Sequence, residues 1–132
     1  MREIKFRAQR YGREWVYGYL VKNVTGMVFI VSADADPEEY RDDRVMPETV
    51  GQYTGLTDAD GREIYEGDIV RCEEFVYEVV YEPHRFASFG LRRDADVYMH
   101  YFGEAMESKD CRVIGNIHDN PELLRGDGNA RD

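Results

Sequence analysis

The sequence predicts a mainly β protein built around a small antiparallel barrel. Three observations carry this. Short apolar and aromatic runs recur at intervals of about 8–14 residues, as in all-β domains. Turn signals rich in Gly, Asp, Asn and Pro separate them, and the clearest runs alternate with the two-residue period of a half-buried strand. At 132 residues the chain suits one domain, or one domain with a smaller appendage, and is long enough to fold without a disulfide or a metal.

Ile4 to Ala8 alternates apolar residues (Ile4, Phe6, Ala8) with Lys5 and Arg7, which predicts a first strand. Tyr11-Gly12-Arg13 is a turn, and Trp15 to Val21 returns as a second, aromatic strand. The hairpin would place Lys5, Arg7 and Arg10 on its solvent face. Asn23 to Gly26 is a further turn, and Met27 to Val31 is a continuous apolar run expected as a buried strand. The acidic stretch Asp34 to Asp43 has little apolar content and is expected as a mobile loop, with at most one helical turn after Pro37. Val45 to Tyr53 contains Pro47, so an edge strand or an irregular crossing is expected there.

The stretch Gln52 to Arg71, QYTGLTDADGREIYEGDIVR, holds two turn signals, Asp58-Ala59-Asp60-Gly61 and Tyr65-Glu66-Gly67-Asp68. The first places carboxylates as at the start of a calcium loop, but such a loop needs glycine at its sixth position, where this chain has Glu63. A tight hairpin turn with Gly61 at positive φ fits better, with Ile64-Tyr65 as the short returning strand. Ile69 to Cys72, Phe75 to Tyr81, Phe86 to Leu91, Val97 to Phe102 and Cys111 to Ile117 complete the strands. Gly115 inside the last one marks a bulge or a close backbone approach. Asp119-Asn120-Pro121-Glu122 caps a single helical turn, Pro121 to Leu124, and the polar tail from Arg125 is expected to be disordered. The resulting division is a β-rich portion over 1–50, a barrel over 51–124 and a tail over 125–132.

The formal charge of −10 is unevenly spread. Met1 to Lys22 carries six basic residues against Glu3 and Glu14, a net +4, whereas Asp34 to Glu82 carries sixteen acids against four arginines, a net −12. An acidic field repels phosphate backbones, which argues against nucleic acid as the partner. The N-terminus lacks the apolar core of a signal peptide and no run is long enough for a membrane helix, so a reducing cytoplasm is expected, with Cys72 and Cys111 as free thiols.

Four segments in this order, MREIKFRA (Met1–Ala8), QYTGL (Gln52–Leu56), DGREIYEGDIV (Asp60–Val70) and VIGNIHDNPELL (Val113–Leu124), resemble the YopX-like family of phage and prophage proteins. The resemblance implies an SH3-like barrel in the C-terminal half, a β-rich N-terminal portion packed on it, and a phage or prophage origin. It implies no particular activity. Where many relatives follow the opening FRA with tryptophan this chain has Gln9, and Trp15 is a candidate for that packing role. Most of the shared pattern is glycine or core. The polar and aromatic exceptions, Gln52, Tyr53, Thr54, Tyr65, Glu66 and Asp68, form the candidate binding surface, although Asp68 also has the chemistry to cap its own turn.

No GxSxG, phosphate-binding glycine loop, HExxH or CxxC is present. His84, His100 and His118 are not at ligand spacing with Cys72 or Cys111, so no metal and no cofactor is expected. The reading favoured is a non-enzymatic interaction module that binds a host or phage protein, with self-association through the strand at 45–53 or the hairpin strand at 15–21 as a further expectation. A nucleic-acid factor using the basic hairpin is the alternative; exposure of Tyr11, Tyr17 or Tyr19 beside the arginines would favour it. An enzyme acting on a small ligand would need a deep pocket with perturbed titratable groups.

Overall fold

The structure is a computed structural model that describes residues 4–31, 44–82, 88–93, 100–101 and 107–125. The expected acidic loop at 34–43, the tail from residue 126, and parts of the expected strands at 86–91 and 97–102 lie outside those residues. The chain divides into two compact units, one up to Tyr53 and one from Thr54. No helix among the described residues is long and apolar enough to cross a membrane.

The first unit contains β1 (Phe6–Gln9), β2 (Trp15–Lys22), β3 (Val28–Val31) and the start of β4 (Gly51–Thr57). The strands are antiparallel in the order β3-β2-β1-β4. Ala8 lies opposite Val16, and Leu20 opposite Ile30. Because side chains alternate across a sheet, this register gathers Ala8, Ile30 and Val45 into a buried cluster, with Phe6, Val16, Val28 and Val50 packed against it. The turn after β2 is held by Asn23, whose Oδ1 accepts from the backbone N–H of Thr25 (3.0 Å) and of Met27 (2.9 Å).

Of the two alternatives expected around Pro47, the irregular crossing holds: Pro47 opens a single 3-10 turn, Pro47–Thr49, where its missing N–H costs nothing, and the ladder resumes at Gly51. One expectation for this unit needs correction. Arg7 is not on a solvent face: it is 7% exposed, with its guanidinium carbon 4.6 Å from the Trp15 ring centroid. Both strands expected to self-associate are paired within the chain: β2 is flanked by β3 and β1, and Gly51 and Gln52 of β4 are paired with β1.

The second unit holds the end of β4 with its neighbour β5 (Glu63–Tyr65), followed by β6 (Asp68–Cys72), β7 (Phe75–Glu82), β8 (Ser88–Arg92), β9 (His100–Tyr101), β10 (Cys111–Asn116) and α1 (Glu122–Arg125). Arg125, expected to begin the tail, ends the helix. The five later strands form an antiparallel sheet in the order β10-β6-β7-β8-β9. One face presents Val70, Cys72, Tyr77, Val79, Leu91 and Cys111 to Ile64, with Leu56 and Val113 alongside. The other presents Ile69 and Val76 to Leu123 and Leu124 of α1. The mainly β, antiparallel class therefore holds, but the barrel is not closed. Closure would need β10 and β9 to pair, and among the described residues each has one neighbour only. At the expected irregularity the β10–β6 register shifts between Val113 and Gly115, and a Cβ at Gly115 would lie 2.6 Å from Asn120 Oδ1.

The cysteines are also corrected. Cys72 and Cys111 stand directly opposite in the β6–β10 register, with Cα atoms 4.3 Å apart, and form a disulfide. Thirty-nine residues separate them in sequence, so only the sheet register shows that they are partners. Reducing the disulfide releases a loop of that length in the unfolded chain. Dithiothreitol is therefore expected to lower unfolding stability by about 2–4 kcal/mol in urea titrations, and thiol titration of the denatured, unreduced protein should find no free cysteine.

Candidate binding face

The six residues expected to make an exposed binding edge are placed mainly as internal supports. In the first unit Tyr53 is buried; its backbone N–H donates to Lys5 O at 2.9 Å and its ring lies 5.1 Å from Lys5 Nζ. Gln52 pairs with Phe6 and is half-buried. In the second unit Thr54 Oγ1 donates to Ile64 O (2.8 Å) and accepts from Leu56 N–H (3.1 Å), while Asp68 Oδ2 accepts from Tyr65 N–H (2.7 Å). The Tyr65 hydroxyl donates to Glu63 at 3.1 Å. Thr54, Tyr65 and Asp68 are buried and Glu66 is half-buried in the turn between β5 and β6. These groups hold the β4–β5 ladder and the turn into β6, so they do not form an exposed edge. Asp68 does what its position in the turn allows: it caps the turn.

A residue not singled out for this role, Asp58, has the most complete set of backbone contacts. It is fully buried, and Oδ1 accepts from the backbone N–H groups of Asp60 (2.9 Å) and Arg62 (2.8 Å). Oδ2 accepts from Val113 N–H at 2.9 Å, across 55 residues of sequence. Burial pushes its pKa up, but the three N–H donors, aided by the Arg62 charge, outweigh burial and hold it below the ordinary value. The sequence showed the turn, with Gly61 at φ +84° as expected, and gave no sign of the strand to which the turn is tied.

The open surface lies elsewhere, on β2. Tyr17 (51% exposed), Tyr19 (54%) and Val21 (44%) form one row on the face opposite the Ala8–Ile30–Val45 core. Tyr11, at the hairpin turn, is 64% exposed. It lines an open depression of about 470 Å³ with Arg10, Gly12, Glu14 and Arg44. Within that rim Arg10 and Glu14 form an exposed ion pair at 3.8 Å. Residues 4–31 carry Lys5, Arg7, Arg10, Arg13 and Lys22 against Glu14 alone, a net +4. Strand alternation in Trp15–Lys22 already separates positions 17, 19 and 21 from 16, 18 and 20. The row was therefore legible in the sequence, and its exposure was not.

A family model described as YopX protein matches residues 5–125, so the chain belongs to the YopX family. Among solved structures it is similar to the crystal structure of protein EF1440 from Enterococcus faecalis, at 24% identity and a TM-score of 0.54, over 94% of this chain and 99% of that one. At that identity the likeness speaks to the fold. No curated protein matches the sequence.

The depressed pKa of Asp58 sets a sign for acid unfolding. Its contribution to stability is complete above the ordinary carboxylate pKa of about 4 and is lost as pH falls through the lower value in the fold. Asp58→Asn turns one acceptor into an amide donor facing backbone N–H groups. It should cost about 1–3 kcal/mol at pH 7, and urea titrations should show that difference shrinking as pH falls below about 4.

Proposed function

We propose that this member of the YopX family is a non-enzymatic binding module that engages its partner through the outward face of β2. The row Tyr17, Tyr19, Val21 carries the proposal. Its orientation is fixed by a paired register on both sides, and it leaves two rings and a branched side chain about half exposed. Tyrosine offers an apolar body and a polar handle, the combination enriched at interfaces. The buried polar groups of the second unit support a scaffold role there, since Thr54, Asp58 and Asp68 are engaged by main-chain groups. A phage or prophage setting in a bacterial cytoplasm is part of the same proposal.

The test compares the tagged full-length chain with a Tyr17→Thr, Tyr19→Thr variant in capture from host lysate, with and without nuclease treatment. Threonine keeps the strand preference and removes the ring, so the unfolding curve should stay within about 1 kcal/mol of wild type. Recovery of bound material, protein or nucleic acid, should fall severalfold in the variant. Equal recovery by both forms would overturn the proposed face.

A further inference from the structure

We infer that the β2 face is a stacking platform for single-stranded nucleic acid; the inference rests on the binding face proposed above and names its occupant. Residues two apart on a strand share a face with a separation of about 6.7 Å, so Tyr17 and Tyr19 present successive rings along one line. Both are more than half exposed. Bases that are not paired in a duplex offer π faces to such rings, and aromatic stacking of this kind tolerates any sequence.

The charge around the row complements a phosphate backbone. Residues 4–31 are net +4, and the rest of the chain is therefore net −14 to reach the total of −10. Of the cations in residues 4–31, Arg7 stands opposite Tyr17, and Arg10 and Arg13 lie at the hairpin turn. At the hairpin turn, Arg10 and Arg44 lie with the exposed Tyr11 in an open depression that Glu14 also lines, so a phosphate beside a base stacked on Tyr11 would compete with Glu14 for Arg10. A protein partner fits less well. A specific protein interface needs roughly 800 Å² from each side, and the exposed apolar row on this face is three side chains long.

The test is fluorescence anisotropy of labelled oligo-dT, oligo-U and a mixed-sequence duplex with the full-length chain. Both single strands should bind, with the duplex at least about tenfold weaker. Raising salt from about 50 to about 200 mM should weaken binding by about tenfold to twentyfold if three phosphates are neutralised. Tyr17→Thr, Tyr19→Thr should lose about tenfold or more, whereas Tyr17→Phe, Tyr19→Phe, which keeps both rings, should bind within about twofold of wild type. Binding of only one sugar type would support the inference and identify the strand as DNA or RNA. No anisotropy change with either single strand at about 50 mM salt, or full binding by the threonine variant, would overturn it. If neither strand binds but capture from nuclease-treated lysate still depends on Tyr17 and Tyr19, the face stands and its occupant is a protein. If both assays are insensitive to the substitutions, face and occupant fall together.

Discussion

A buried carboxylate, Asp58, holds the second unit's most distant segments in register. An ionised group removed from water is tolerable only when its lone pairs meet donors. Here three backbone N–H groups from two separate segments supply them. Two further hydrogen bonds reinforce the junction, one main-chain and one from a side chain: Ala59 N–H donates to Cys111 O at 2.8 Å, and Arg62 Nη1 donates to Val113 O at 3.2 Å. The turn after β4 is thereby fixed to β10, which β6 holds on its other side through the paired cysteines. Without the carboxylate, the N–H of Val113 would lose its partner at the point where β10 begins to bulge. The bulge, in turn, brings Gly115 against Asn120 and Leu123 and so seats α1.

What the sequence revealed and what it concealed divide along a physical line. Local signals were readable: the hairpin at Tyr11–Arg13, the turn at Asn23–Gly26, Gly61 at positive φ, and the irregularity at Gly115 depend on a few neighbouring residues. Contacts between distant segments were not. Cys72 and Cys111, and Asp58 and Val113, meet only because antiparallel register brings them together, and register is a property of the assembled sheet. Pro47 was readable in the same local way: its incompatibility with a ladder gave an irregular crossing as one of two alternatives, and a single 3-10 turn realises it within three residues.

The candidate site shows the same division. Thr54, Tyr65 and Asp68 looked functional because they are polar within an apolar pattern. Buried polar side chains that accept or donate to main chain are equally constrained by folding, and Asp68 shows why. Its carboxylate meets the N–H of Tyr65 at the turn, where an apolar residue would leave that donor unmet. A polar residue in a recurring pattern therefore points to function only after its backbone partners have been counted.

Arg7 explains how a strand can present aromatic residues on one face and still belong to a core. Alternation alone would leave Arg7, Gln9, Trp15 and Tyr17 together on the solvent side. Instead Arg7 and Trp15 stack, and the N–H of Gln9 is held by Thr49 Oγ1 at 2.8 Å. The hairpin end of that face is thus closed by its own side chains, and exposure begins at Tyr17. The cation in the stack also places positive charge beside the row without projecting it into water. The outward face is thus partly self-covered and partly open, and the boundary falls between Trp15 and Tyr17. Val16, one residue away, faces the core cluster, whereas Tyr17 faces away from it and is half exposed. Adjacent residues of one strand thereby divide between core and solvent.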